Sequence, residues 1–125
     1  MFCANPDFVT IEKNNDKNLY CMGTVADLYD HMGGKVVILG KPCKEIYEES
    51  CKNIEDLNKT KILAIGDSMD HDILGANNFN IDSVLISSGI HKDLFDKGLE
   101  IGLNEIKNSK KWNFSPTYIC QNFSI

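Results

Sequence analysis

Arginine is absent from this chain, and all 13 of its basic residues are lysines. The 125 residues carry a net charge of −5 at pH 7, and the lysines form no long basic run. Proteins that bind nucleic acid attract its phosphates through clustered positive charge. This charge balance therefore predicts no nucleic-acid partner.

Long apolar runs are also missing. No apolar stretch of the sequence approaches the roughly 20 residues that a helix needs to span a bilayer. The opening residues, MFCANPDFVTIEKNN, lack the basic region and the long apolar region of a secretory signal. We therefore expect no membrane partner and no secretion.

Closely spaced cysteine pairs do not occur. A disulfide framework or a zinc site needs tighter spacing than this chain offers. We therefore expect free, mostly buried thiols and a cytoplasmic protein. The five cysteines, an odd number, are Cys3, Cys21, Cys43, Cys51 and Cys120.

Short apolar segments alternate with amphipathic ones along the chain, which is typical of a parallel sheet covered on both faces. The pattern also predicts an exposed turn at 13–18. Strands are predicted at 7–12, 35–40, 61–66, 82–89 and 116–121. Helices are predicted at 23–34, 41–54 and 70–79, with weaker ones at 92–98 and 103–112.

Three carboxylates follow the apolar run 62–65: Asp67, Asp70 and Asp72. Ligands of open α/β sheets bind beyond the carboxyl ends of the strands. Asp67 and Asp72 can converge there, and paired carboxylates suit Mg²⁺, which prefers oxygen ligands. We interpret these two as a metal site. For Asp70 we favour capping of the following helix, where negative charge is stabilising.

Other residues near the predicted strand ends leave two interpretations open. Lys41 could offset the negative charge of a phosphate or a phosphorylated carboxylate, or it could be a solvated surface lysine. The segment 87–89 could line the same crevice or form a plain turn. His71 fits an exposed helix surface better than a ligand contact, and we interpret Trp112 as a packing residue.

Three segments in order, GKP at 40–42, IGDSMDHDILGANNFN at 65–80 and SVLISSGI at 83–90, resemble the haloacid dehalogenase-like (HAD-like) hydrolases. Class IIA of that superfamily, which contains sugar-phosphate and nucleotide phosphatases, is the branch they are most similar to. CANPD at 3–7 is similar to a segment of that branch's cap. The resemblance implies an α/β fold, with the C-terminal half of a Rossmann-like parallel core sheet at 41–125 and a remnant of an α/β cap domain at 1–40.

The resemblance also implies roles for single residues. Lys41 matches the catalytic lysine that steadies the aspartyl-phosphate intermediate. Asp67 matches the acid that binds Mg²⁺, directly or through water, and Asp72 matches the second acid of the metal site. The implied activity is Mg²⁺-dependent hydrolysis of the phosphomonoester of a small phosphorylated metabolite.

The sequence departs from this family in its N-terminal motifs, since the Ser/Thr strand of the second motif and the first half of the cap have no counterpart here. The nucleophile motif of the family, D-x-D-G-[TV], is absent, and the only D-x-D is formed by Asp70 and Asp72. We therefore expect a phosphatase fragment that is inactive alone. Its sheet should expose apolar faces and an open edge, and should recruit a second copy or a separately encoded N-terminal half.

Two alternatives remain. One is a non-catalytic remnant, or a binding or structural module, that self-associates. The other is a phospho-receiver module, which also uses clustered aspartates and a lysine. The order of residues disfavours the receiver, because its acids precede its lysine, whereas Lys41 here precedes Asp67.

Overall fold

The computed structural model describes residues 1–11 and 18–124. Its strands are β1 (Phe2–Cys3), β2 (Val9–Ile11), β3 (Asn18–Tyr20), β4 (Val37–Ile38), β5 (Leu63–Gly66), β6 (Asp82–Ile86) and β7 (Tyr118–Cys120). Its α-helices are α1 (Met22–His31), α2 (Lys44–Cys51), α3 (Leu74–Phe79) and α4 (Leu99–Asn108). A π-helix, Met69–Ile73, precedes α3, and 3₁₀ turns lie at Lys59–Lys61 and Lys92–Phe95.

A three-stranded parallel sheet forms the centre of the larger part of the chain. Its order is β5-β6-β7, so that Leu63 pairs with Asp82 and Val84 pairs with Tyr118. Parallel neighbours require crossover connections, and α3 lies between β5 and β6 in the chain. The predicted α/β fold with a parallel sheet is confirmed.

The core is built from the π-helix, β6 and α4. Its fully buried side chains come from all three elements: Met69, Ile73, Leu85 and Ile106. Several partly buried residues pack against them, including Trp112, as the sequence predicted: Leu94, Phe95, Trp112, Phe114 and Ile119.

The first 40 residues form a smaller unit with its own strand pairs. β1 pairs in parallel with β4, and β2 pairs antiparallel with β3. Helix α1 contributes buried small residues, Gly23 and Ala26. A Cβ at position 23 would lie 2.1 Å from the carbonyl oxygen of Pro6, so glycine permits this close approach.

Several predicted boundaries were wrong. The strand predicted at 35–40 shrinks to β4, and β1 was not predicted because two residues carry no periodic pattern. The last helix, α4, begins at Leu99 instead of residue 103, after Gly98 at a φ of 114°. The strand predicted at 7–12 is present as β2, but its end and most of the predicted turn at 13–18 lie outside the described residues.

The cysteines are free, as predicted, but they are not mostly buried. Only Cys3 is buried. Three others are half-buried, and Cys120, at the end of β7, is exposed. In the part of the chain that the structure describes, no helix has the length and apolar character to cross a membrane.

Apolar side chains remain exposed on two elements that the sequence predicted to have apolar faces. On the edge strand β5, Leu63 is 47% exposed and Ile65 is 43% exposed. On α1 and at its C-cap, the apolar side chains at helical spacing are exposed: Val25, Leu28, Tyr29 and Met32. The predicted exposure of apolar surface is therefore present in the folded chain.

Candidate active site at the carboxyl end of the sheet

The loop that leaves β5 turns into a π-helix within two residues. Ser68 begins this π-helix, because its Oγ accepts a hydrogen bond from the backbone N–H of His71 at 3.2 Å. The carbonyl oxygen of Ser68 accepts the N–H groups of Asp72 and Ile73, each at 3.0 Å. This wide turn brings the side chain of Asp72 back towards the end of β5.

Asp72 is a buried carboxylate with both oxygens in use. Its Oδ2 accepts the backbone N–H of Ser68 at 3.0 Å, and its Oδ1 contacts the ammonium of Lys41. Only 11% of the Asp72 side chain is exposed, so the lysine compensates its charge where water is largely excluded. A Cβ at Gly66 would lie 2.1 Å from the Asp72 carboxyl carbon, so only glycine at the strand end leaves room for this carboxylate.

Asp67 lies beside the loop that follows β6. Its Oδ2 accepts the backbone N–H of Ile90 at 3.1 Å. Gly89 packs directly on the Asp67 side chain, since a Cβ there would lie 2.2 Å from the Asp67 Cβ. The segment 87–89, for which the sequence left a crevice and a plain turn open, thus touches Asp67 through Gly89, and the neighbouring Ile90 adds the backbone hydrogen bond.

Lys41 lies in the connection between the two units, just before α2. It reaches Asp72 with 53% of its side chain still exposed. From α2, the Tyr47 hydroxyl donates a hydrogen bond to the carbonyl oxygen of Asp72 at 3.3 Å. Burial, followed by the nearby Asp72 carboxylate, raises the pKa of Tyr47. The structure thus brings Lys41 to Asp72, an acid in the segment after β5 that also carries Asp67.

Asp70 lies in the first turn of the π-helix, near the helix N-terminus as predicted, but the N-cap is Ser68 and not Asp70. Its carboxylate instead accepts hydrogen bonds at 2.8 Å from the Trp112 indole and the Lys111 ammonium. Burial would raise the pKa of Asp70, but the hydrogen bonds from Lys111 and Trp112 together outweigh it and lower that pKa. Asp70 therefore anchors the segment after α4 to the π-helix.

Two histidines have contacts that sequence patterns did not reveal. His71 was predicted to lie on an exposed helix surface, but its side chain is only 25% exposed, and its Nδ1 lies 2.9 Å from Oδ1 of Asp7. The Nε2 atom of His91 accepts the backbone N–H of Met69 at 3.1 Å. Burial lowers the pKa of His91 and so favours the neutral ring that this hydrogen bond requires. Both contacts join distant parts of the chain, and no local motif signals them.

The oxygen-rich chemistry of this edge fits a hard divalent cation such as Mg²⁺. Asp67 has one carboxylate oxygen, Oδ1, with no hydrogen bond to the described residues, whereas both oxygens of Asp72 are engaged. Within residues 1–11 and 18–124, no three His, Cys, Asp or Glu side chains form a metal-binding group. Of the two acids, Asp67 therefore keeps the carboxylate oxygen that is more available to such a cation.

A family model described as HAD-hydrolase-like matches residues 38–124. This match covers well over half of the chain. The chain belongs to the HAD-like hydrolases. Its structural neighbours are HAD-superfamily phosphatases of the class IIA type. No curated protein sequence matches the chain significantly.

Several solved structures are similar to this HAD-like chain. A haloacid dehalogenase-like hydrolase from Brucella suis is 36% identical, with a TM-score of 0.61 over 72% of this chain. A possible sugar phosphatase from Cytophaga hutchinsonii is 25% identical, with a TM-score of 0.70 over 96% of it. A p-nitrophenyl phosphatase from Archaeoglobus fulgidus is 22% identical, has a TM-score of 0.67 over 96% of the chain, and supports the fold alone. This chain spans only 36%, 40% and 42% of those three proteins, respectively.

Proposed function

We propose that this chain supplies one part of the active site of a Mg²⁺-dependent phosphomonoesterase of the HAD-like class IIA type. In this proposal Asp67 is a metal ligand, and Asp72 orients Lys41 and supports the metal site. Mg²⁺, when bound, would offset the negative charge of the phosphate group. The ammonium of Lys41 would stabilise the additional charge on the phosphorylated intermediate.

The contact between Lys41 and Asp72 is the observation that carries this proposal. It joins Lys41, which precedes α2, to an acid 31 residues later, in the segment after β5 that also carries Asp67. A solvated lysine would have no reason to reach a carboxylate that is nearly buried. The pairing therefore favours a charged site over three unrelated surface residues.

The same proposal assigns each part of the chain to a domain. We assign residues 1–40 to part of the cap and residues 41–125 to part of the core, which agrees with separate strand pairing in the two units and with a family match that begins at residue 38. The substrate would be a small phosphorylated metabolite. The nucleophile would come from an N-terminal half carrying D-x-D-G-[TV], and free thiols favour the cytoplasm.

The first test uses the chain as it is. We expect the purified protein to release no nitrophenol from p-nitrophenyl phosphate, with or without Mg²⁺, because residues 1–125 contain no D-x-D-G-[TV] nucleophile. Absorbance of the released nitrophenolate measures turnover. Mg²⁺-dependent turnover that disappears in Asp67→Ala would show that the chain is active without a second half.

The second test supplies an N-terminal half from a structural neighbour. The part of the Archaeoglobus fulgidus p-nitrophenyl phosphatase that superposes on this chain is replaced by residues 1–125. We expect Mg²⁺-dependent hydrolysis, and we expect Lys41→Ala and Asp67→Asn each to lower kcat by about 100-fold. Asp27→Asn, on the surface of α1, is the matched control and should leave kcat unchanged.

The absence of the nucleophile motif favours one other function, a non-catalytic remnant that self-associates. A folded replacement protein without turnover would support the remnant, since the correct nucleophile is then present and Lys41, Asp67 and Asp72 still fail to act. Hydrolysis that Lys41→Ala and Asp67→Asn abolish would exclude it.

A further inference from the structure

The chain consists of two segments that share no strand pairing among the described residues. The N-terminal segment, residues 1–39, contains β1 to β4 and α1, whereas the sheet segment, residues 44–124, contains β5 to β7. Residues 40–43 connect them, and Lys41 in this connection contacts Asp72. One connection alone would leave rotation between the segments unrestrained.

A second contact restrains that rotation. Nδ1 of His71, on the π-helix, lies 2.9 Å from Oδ1 of Asp7 in the N-terminal segment. Among the side chains that the structure describes, this is the one ion pair or hydrogen bond that joins residues 1–39 to residues 44–124. The two anchors therefore end on consecutive residues, His71 and Asp72.

Both partners of this contact are held by their own segments. The backbone N–H of Asp7 donates to the Asn5 side chain at 3.1 Å, and its carbonyl oxygen accepts the N–H of Gly23 at 3.0 Å. The Asn5-Pro6-Asp7 turn is thus fixed to the start of α1. A carboxylate on a fixed turn transmits the orientation of its segment better than one on a mobile loop.

On the other side, His71 is connected to the candidate site through Ser68. The ring Nδ1 lies 3.1 Å from Ser68 Oγ, and that oxygen also accepts the His71 backbone N–H. The backbone N–H of Ser68 in turn donates to Asp72. A displacement of Asp7 would therefore be passed to the loop that carries both candidate acids.

We propose that Asp7 and His71 form a clamp that sets the orientation of the N-terminal segment against the loop of Asp67 and Asp72. The clamp rests on the proposed function for its consequence, since it makes Asp7 and His71 positioning residues of the phosphatase site. Neither residue needs to touch the substrate. The clamp acts by fixing the segment that faces the site.

Residual dipolar couplings of the full chain measure this orientation directly. In the wild type, α1 and α4 should fit one common alignment tensor. In Asp7→Asn and in His71→Asn, the two helices should need different tensors. Asp27→Asn is the matched control, because Asp27 lies 3.5 Å from His31 within α1 and joins no segments. A common tensor in both clamp variants would overturn the proposal.

Exchange of the two partners provides the rescue. The double variant Asp7→His with His71→Asp keeps one carboxylate and one imidazole in contact, and it should restore the common tensor. If the two side chains had independent structural roles, the double variant would show both defects and would not regain the common tensor. Failure of the rescue in a folded double variant would therefore count against the clamp.

A titration with Mg²⁺ alone separates this proposal from the proposed function. Followed at the amide signals of 67–72, the affinity should fall about fivefold in Asp7→Asn and stay unchanged in Asp27→Asn. Equal affinity in Asp7→Asn and wild type would remove the positioning role. A wild type that shows no Mg²⁺ response would contradict the metal site instead, while the dipolar couplings would still decide the clamp.

Discussion

Gly66 and Gly89 leave room for the side chains of Asp72 and Asp67, respectively. Gly89 offers the cleaner test. An alanine Cβ at this position would lie 2.2 Å from the Asp67 Cβ and 2.3 Å from its Oδ2. The Cβ of Asp67 is fixed to the backbone and cannot move away without shifting the loop. We expect Gly89→Ala to lower the free energy of unfolding by about 1–3 kcal/mol.

Urea denaturation measures this change, with Ser88→Ala as the neighbouring control. Ser88 is exposed, and shortening its side chain should alter the free energy of unfolding by less than about 0.5 kcal/mol. Equal stability of Gly89→Ala and wild type would mean that the loop 87–90 does not pack on Asp67 as described.

His91 gives the stability a defined pH dependence. Burial lowers its pKa below 6.5, the Asp70 and Asp67 charges oppose that shift, and Lys111 adds to it. The unfolded chain therefore takes up this proton first as the pH falls. The contribution of His91 is complete above pH 6.5 and is lost as the pH falls through the folded-state pKa. We expect His91→Gln, which can still accept the Met69 N–H, to weaken this dependence in urea titrations at several pH values.

His31 is the control, because its pKa is shifted in the opposite direction. The Asp27 backbone oxygen, and then the Asp27 charge, raise the pKa of this exposed ring. Its contribution is complete below pH 6.5 and is lost as the pH rises through its folded-state pKa. His31→Gln should therefore steepen the loss of stability at low pH. Identical slopes for the two variants would contradict these assignments.

Residue patterns predicted the positions of the acids but not their contacts. An apolar strand that ends in glycine places Asp67 at the carboxyl end of the sheet. This follows from sequence because the position and length of a strand are local properties. The contact of His71 with Asp7 does not follow from any local pattern, since it depends on how two segments pack. The hydrogen bonds of Asp70 with Lys111 and Trp112 were not predicted for the same reason, since these two residues lie about 40 positions further along the chain.

Helix α4 shows how much of the fold rests on one buried side chain. Ile106 is fully buried in the core, whereas Ile101 on the same helix is 44% exposed. Ile106→Ala leaves a cavity in a core of four fully buried residues, and we expect it to lower the free energy of unfolding by about 2–5 kcal/mol. Chemical denaturation with the matched variant Ile101→Ala, expected to cost less than about 1 kcal/mol, measures the difference. Similar losses in both would mean that α4 packs through another face.

The type of an element was predictable where its apolar pattern extends over enough residues. β5, β6 and α1 follow from apolar runs or helical spacing, and their types are as expected. The π-helix and the two-residue strand β1 were not predicted, because a π-turn and so short a strand are defined by hydrogen bonds and not by side-chain periodicity.

Many large apolar side chains among the described residues are exposed, on the sheet as well as on the helices. Leu63 and Ile65 project from the same face of the edge strand β5, which pairs on one side only with β6 among the described strands. Burying such a face and edge against a second copy is favourable, because apolar area leaves water and the open backbone groups find partners. We therefore expect the isolated chain to self-associate, with a scattering mass at a multiple of 14.0 kDa that grows with concentration.

Paired substitutions identify the surface responsible. Leu63→Lys with Ile65→Lys adds charge to the sheet face and should return the chain to a monomer by light scattering. Val25→Lys with Leu28→Lys, on the exposed face of α1, adds the same charge elsewhere and should leave the association intact. If only the α1 pair gave a monomer, the interface would lie on α1. A wild-type chain that stays at 14.0 kDa at every concentration would contradict the open sheet as an association surface, because nothing else in solution would then cover it.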